Sequence, residues 1–261
     1  MKNTLATILV LAASAVGVLQ GCVSSTAVET RVPDQIIKSD PVQRAKIHTE
    51  RAAEYYRQGN MAVALEAAKQ AVAASPSHAP AHNMLGIIYM QLADDAQAAQ
   101  SFEQALRLMP NDSETLNNYG WFVCQRQNPA NAMQYFQAAL KNPLYATPES
   151  ALYNSGLCLK KAKDIRGAEV QFRAAVQRQP LLAAGLYELA EIEFTRGNAR
   201  EAEALIAKHN RLVQSPSADA LLLGARIARL QGDKSAESSY AQQLRRRFPD
   251  APQTRAAGDP N

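Results

Sequence analysis

Residues 79–112 read APAHNMLGIIYMQLADDAQAAQSFEQALRLMPND, and residues 113–146 read SETLNNYGWFVCQRQNPANAMQYFQAALKNPLYA. Set one over the other, Gly86 falls on Gly120, Ala98 on Ala132 and Phe102 on Phe136, an offset of 34 residues. Working outward gives six units, starting near Ala45, Ala79, Ser113, Glu149, Ala183 and Ser217, with spacings of 34, 34, 36, 34 and 34. The eighth position is always small: Ala52, Gly86, Gly120, Gly156, Ala190, Gly224. The twentieth is always alanine: Ala64, Ala98, Ala132, Ala168, Ala202, Ala236. The twenty-fourth is mostly bulky, as in Phe102, Phe136, Phe172, Ile206 and Tyr240, and a proline closes each unit, the last being Pro249. Small residues at positions 8 and 20 let two helices of one unit cross closely. The bulky residue at 24 fills the gap beside that crossing, and proline ends the second helix. One helix pair cannot bury its apolar face alone, so the units must stack.

Each unit resembles a tetratricopeptide repeat (TPR). The expected fold is all-α, a right-handed superhelical array of six TPR helix-turn-helix repeats over residues 43–250. Composition agrees: Ala, Leu and Gln dominate and aromatics are 6% of the chain. The formal net charge is +4, with basic and acidic residues interleaved, which argues against nucleic acid as a partner. The densest basic run, Arg245–Arg247, falls at an expected helix end, where cations suit the macrodipole.

The chain opens MKNTLATILVLAASAVGVLQGC, one lysine before an apolar stretch of 15 residues from Leu5 to Leu19. That stretch is too short to span a bilayer and reads as a signal peptide, residues 1–21. Its end, Leu19-Gln20-Gly21-Cys22, resembles a bacterial lipobox, although Gln20 is less usual there. The resemblance implies that the Cys22 thiol takes a diacylglyceryl group and becomes the acylated N-terminus; the alternative is ordinary secretion with a stray cysteine. Val23 stands where lipoproteins kept at the inner membrane typically carry aspartate, so the expected location is the periplasmic face of the outer membrane. Residues 22–42 read as a lipidated tether with a span of roughly 25 Å. Residues 251–261, without pattern, are expected to be disordered.

In a TPR array the first helices line a concave groove through positions 2, 5, 9, 12 and 13. Those positions give Asn83, Ile87 and Met90 from the second unit, and Asn117, Trp121, Cys124 and Gln125 from the third. The fourth gives Tyr153, Leu157, Lys160 and Lys161, and the fifth Tyr187, Glu191 and Phe194. An exposed apolar and aromatic wall marks a binding surface. Its expected occupant is an apolar or amphipathic peptide, with the asparagines bonding that peptide's backbone. A register shift of one residue would instead make Trp121 core.

If lipid consumes Cys22, an even pair remains, Cys124 and Cys158, in an oxidising compartment. They sit on first helices of adjacent units, so the reading is a disulfide, with two buried thiols as the alternative. Two extra residues lie in NPLYATPES, residues 142–150, either as a tolerated insertion or as a partner-facing feature. His78 and His82 stand four apart with Pro80 between them and no third ligand near in sequence, so no metal site is expected. Asp94-Asp95 reads as a solvated turn. No nucleophile triad, phosphate loop or dinucleotide fingerprint occurs, and the chain does not read as an enzyme.

LNNYGWF (116–122), PLYATPESALYNSGLC (143–158), LLLGARIARLQGD (221–233) and LRRRFP (244–249) follow one another along the six units behind the lipobox. This ordered set resembles the type IV pilus biogenesis and stability lipoproteins, the PilF/PilW family. The resemblance implies an outer-membrane lipoprotein of the fimbrial machinery, with no cofactor beyond its covalent lipid (a palmitate-type acyl anchor). The implied partner is the secretin, the ring through which the pilus exits, with other pilus assembly proteins as further candidates. Some members act as pilotins that localise and multimerise the secretin, and others stabilise pili. The rival expectation is a TPR lipoprotein adaptor for outer-membrane protein assembly or for peptidoglycan enzymes.

Overall fold

A computed structural model describes residues 40–258. The signal peptide, Cys22, most of the tether and residues 259–261 lie outside the described residues. Among those described there are helices and turns and no strand. Helices α1 (Pro41–Arg57) and α2 (Met61–Ala74) form the first pair, α3 (Ala79–Gln91) and α4 (Asp95–Leu108) the second, α5 (Ser113–Arg126) and α6 (Pro129–Leu140) the third. Then follow α7 (Pro148–Lys161) with α8 (Ile165–Arg178), α9 (Ala183–Thr195) with α10 (Ala199–Leu212), and α11 (Ala218–Gln231) with α12 (Lys234–Arg247). Each pair packs internally and onto the next pair. The result is an all-α superhelical TPR array. No described helix is long and apolar enough to cross a membrane.

The contact inside each pair explains the repeat pattern more sharply than the sequence did. A Cβ added at Gly86 would lie 2.6 Å from the Phe102 ring, at Gly156 2.5 Å from Phe172, and at Gly224 2.7 Å from Tyr240. The ring at position 24 therefore lies on position 8 itself; it does not merely fill a gap beside an alanine-lined crossing. Where position 24 lacks a ring, as with Ala68 and Ile206, position 8 is alanine, Ala52 and Ala190. The two sites exchange size so that the interior stays at packed density.

Helix starts are written in the turns. Asp94, Asp164 and Asp233 accept from the backbone N–H of Gln97, Gly167 and Ala236, at 3.2, 2.9 and 2.9 Å. Asp94 is thus a cap, and Asp95 pairs with Arg126 at 3.2 Å, so neither is merely solvated. In five of the six repeats the inner turn uses a left-handed residue: Gly59, Gly197 and Gly232 supply it freely, whereas Ala93 (φ 59°) and Lys163 (φ 66°) adopt it at a cost; the third turn, at Gln127 and Asn128, does without one.

Three boundaries differ from the sequence reading. The first helix begins at Pro41, capped by the Asp40 carboxylate, so it enters the span assigned to the tether. The insertion in 142–150 buries Tyr145 among Leu116, Ala139 and Ala151. The expectation of a disordered 251–261 is corrected by a final helix, α13 (Pro252–Gly258). Seven residues make a marginal helix alone. Docking decides it: Ala257 packs with Leu221, Leu222 and Leu244, and Gln253 Nε2 donates to Asp219 Oδ1 at 2.7 Å. This short helix closes the exposed end of the stack.

Candidate partner-binding groove

The first helices of the front units lie close together, and neutral side chains join them. Asn118 Nδ2 donates to Asn83 Oδ1 at 3.2 Å, and Asn154 Nδ2 donates to Asn117 Oδ1 at 3.0 Å. Asn83 and Asn117 are buried. They were expected to bond a peptide backbone; instead they stitch α3 to α5 and α5 to α7, because a buried amide needs a partner within the protein.

Beside this ladder is a recess of about 390 Å³ lined by Tyr56, Ile87, Met90, Asn118, Trp121 and Arg126, among others. Three groove residues read from the sequence, Ile87, Met90 and Trp121, meet there. Trp121 is half-buried and packs against the cluster that holds Phe122, Cys124 and Phe136, with one side left to the recess. The wall is rigid around it. Arg126 Nη2 donates to the Met90 carbonyl at 3.3 Å while its Nε reaches Asp95. Tyr56 was missed in the sequence, although it holds position 12 of the first unit, the position that Cys124 holds in the third.

Cys124 and Cys158, on α5 and α7, are joined in a disulfide with Cα atoms 5.9 Å apart. Lys161 Nζ donates to the carbonyls of Cys124 and Gln125, at 3.1 and 2.9 Å, and so satisfies the end of α5. Lys161 is thereby engaged by the end of α5.

From α7 onward the first helices draw apart and charge bridges the space. Lys160 Nζ donates to Glu188 Oε2 at 2.6 Å and to Glu191. Burial works against the Lys160 ammonium, but the two carboxylates outweigh it and its pKa is raised. Burial, and then the neighbouring Glu188, push the Tyr153 hydroxyl up. Burial, Glu191 and Asp219 together lift Tyr187 to about 12, so both phenols stay neutral donors at physiological pH. Tyr153 and Leu157 pack toward Phe172 and Leu189, and Tyr187 and Phe194 toward Ile206 and Ile227. Phe194 also borders a separate open hollow of about 690 Å³ with Arg226 and Leu230. The nine groove residues therefore do not form one continuous wall. They form a front recess of mixed lining, a charged middle and a back hollow.

His82 Nε2 lies 2.9 Å from the Pro76 carbonyl, a hydrogen bond that fixes the loop before α3. Among the described residues no group of three or more His, Cys, Asp or Glu is placed to hold a metal ion.

A stacked array of such helix pairs defines a TPR protein. The tetratricopeptide-repeat family model matches residues 49–113 and 96–151. Among solved structures, PilW, described as a widely conserved type IV pilus biogenesis factor, superposes with a TM-score of 0.74 at 33% identity, over 83% of this chain and 99% of that one. PilF of Pseudomonas aeruginosa superposes with a TM-score of 0.76 at 22% identity, over 83% of this chain and 97% of its own, a likeness of fold. A search of curated proteins returned no match. The chain belongs to the PilW family of TPR proteins.

Proposed function

We propose that this chain works in type IV pilus biogenesis as a non-catalytic scaffold that is anchored in the outer membrane through acylated Cys22 and binds the secretin. The observation that carries the reading is the recess between Tyr56, Ile87, Met90 and Trp121 in a member of the PilW family. On a rigid frame, its mixed lining of Ile87, Met90 and Trp121 beside Gln91, Asn118 and Arg126 suits an amphipathic segment of a secretin subunit, held until the ring assembles. Preorganisation of this kind lowers the entropy cost of capture. A lipid anchor sets the location and a tether gives reach, so the mechanism is stoichiometric capture and delivery without turnover.

The test is a secretin-multimer assay in cells carrying Trp121→Ala, with protein level and lipidation of the variant checked. Loss of multimers at a normal level of the variant is the expected result. Tyr153→Ala, which alters the charged middle, is expected to have the smaller effect. Normal multimers and normal pili with Trp121→Ala would remove the recess from the function. Recovery of cell-wall hydrolases in place of secretin on pull-down would support the adaptor role for peptidoglycan enzymes.

A further inference from the structure

Four of the junctions between repeats present an exposed apolar side chain: Met109 at 47%, Leu144 at 88%, Leu181 at 67% and Leu212 at 36% exposure. A cation at or near the end of the preceding helix accompanies each one: Arg107, Lys141, Arg178 and Arg211. Arg107 is engaged by Gln104. Among the described residues, Lys141, Arg178 and Arg211 make no ion pair or side-chain hydrogen bond. The repeat pattern requires neither feature. Linking two helix pairs needs a turn and a stop, and polar residues would serve.

Leu144 is held outward by its surroundings. Its N–H donates to Asn142 Oδ1 at 2.9 Å, and Asn142 Nδ2 in turn donates to Ser113 Oγ at 3.2 Å. The next residue, Tyr145, is buried in the core, so the loop cannot turn Leu144 under without withdrawing a phenol ring. The acids nearest these junctions are Asp112, which caps α5 by accepting from Thr115, Glu114 and Glu149, all three of which act on the Tyr145 hydroxyl, and Asp219, engaged by Gln253. The start of α9 at the Leu181 junction carries none in its first turn.

The edge has a defined direction. In each antiparallel pair the first helix starts where the second ends, as His209 Nδ1 against the Ala183 carbonyl (2.9 Å) and Arg247 Nη2 on the Pro216 carbonyl (2.8 Å) show. The first helix obeys the same topology, so the chain leading back to Cys22 leaves from this edge at Asp40. Between them lie 17 residues.

We propose that the inter-repeat edge around Leu144 and Leu181 rests on a bilayer containing anionic phospholipid. The two leucines enter the boundary between headgroups and acyl chains, and Lys141, Arg178 and Arg211 sit on phosphates. The cations Lys141, Arg178 and Arg211 beside the exposed leucines, the absence of acid from the first turn of α9 and the exit of the chain toward Cys22 from the same edge select lipid as the occupant. The inference rests on the anchored reading above for the domain's nearness to a membrane, but its test needs no acyl chain.

The chain from Val23 to Asn261 contains every described helix, and its PilW relative was solved over a span matching 83% of this chain. This form is sedimented with vesicles of phosphatidylglycerol and phosphatidylethanolamine, and separately with phosphatidylcholine. Binding to the anionic vesicles, weakened by salt, is expected. Leu144→Ser with Leu181→Ser should lower the partition constant about tenfold or more. Neutralising Lys141 or Arg178 should lower it about fivefold each. These positions are exposed, and an unchanged thermal melt verifies each variant's fold. Protection of residues 141–147 from hydrogen exchange by vesicles is a second readout that needs no substitution. Absence of wild-type binding to anionic vesicles overturns the proposal, as does undiminished binding by the leucine variant. Loss of secretin multimers with the leucine variant while vesicle binding stays normal assigns the edge to a protein contact and overturns it as well. Trp121→Ala should bind vesicles as wild type does, so failure of the groove reading and failure of this one are told apart.

Discussion

The front three repeats and the back three share one pattern and solve the same packing problem with different chemistry. In front, and across the border to α7, first helices sit close: Asn118 joins Asn83 within the front half, and Asn117–Asn154 and the disulfide tie the third repeat to the fourth. Behind, they stand further apart: Lys160 on α7 reaches Glu188 on α9, the seam between α8 and α9 holds Arg173 with Glu193 and Arg196 with Glu169, and Arg229 pairs with Glu237 inside the last repeat. The consequence for function is direct. Amide pairs are short and leave the side chains beside them, Ile87, Met90 and Trp121, open to a ligand. Ion clusters occupy the surface that they bridge. In front the recess keeps Ile87, Met90 and Trp121 available to a partner, and behind it Lys160, Glu188 and Glu191 fill the middle before the hollow at Phe194 opens.

The border between the halves offers the sharpest way to break this contrast. The Cys124–Cys158 bridge closes a separation of 34 residues, for which loop-closure entropy gives roughly 4 kcal/mol. Cys124→Ser with Cys158→Ser should lose most of that. The melt should then split into two transitions, front and back, because a repeat array is held only by nearest-neighbour contacts. One sharp transition in calorimetry would mean that the two halves do not behave as separate units.

Next in size is the contact that both halves share. Gly156→Ala sets a methyl group 2.5 Å from Phe172 and should cost about 3 kcal/mol, read from urea unfolding. Adding Phe172→Ile reproduces the Ala190–Ile206 arrangement and should recover part of the loss. A double variant no better than the single one would refute the exchange of size between positions 8 and 24.

The seams should then differ in magnitude and in their response to pH. Glu193 is buried, its carboxylate shared by Arg173, Arg196 and Asn198. Both arginines are partly exposed, so Glu193→Gln should cost about 2 kcal/mol, below the full figure for breaking a buried pair. Asn117→Ala should cost about 1 kcal/mol in front. Acid separates the two further. Arg196, followed by Arg173, holds Glu169 below its ordinary 4.5 against the opposing effect of burial. A lowered folded pKa contributes stability above 4.5 that is lost as pH falls through the folded value. The back half should therefore loosen first between pH 4.5 and more acidic values, seen as earlier hydrogen exchange in α8 and α9. Equal loss of protection in α3 and α5 would break the comparison.

The smallest effect lies in the turns. Lys163 sits at φ 66°, where a side chain is strained, and glycine relieves that strain while freeing the unfolded chain. Lys163→Gly should raise stability by about 0.5 kcal/mol, a small upward shift of the melt.

Spacing carried most of the architecture. Six units, their helix pairs and the nearness of Cys124 to Cys158 all follow from residues that recur every 34 positions, because each repeat meets the same neighbour in the same way; that the ring at position 24 lies on position 8 itself came only from the structure. The groove was half legible. Ile87, Met90 and Trp121 do converge, since their positions in the unit fix the face they occupy. Asn83 and Asn117 did not follow their assignment, because an amide's partner depends on which neighbouring side chain comes within 3 Å or so, and no periodicity encodes that. Nor could composition tell Lys160 and Lys161, adjacent in the chain, apart: one fills the seam with Glu188 and the other ends α5. Helix α13 escaped for a related reason, its seven residues being ordered by docking on Leu221 and Leu244 and not by any propensity of their own. Local pattern fixes which helices form and in what order they stack. Only the tertiary structure decides which polar groups the stack consumes and which apolar ones it leaves uncovered, because those outcomes depend on distances between residues far apart in the chain.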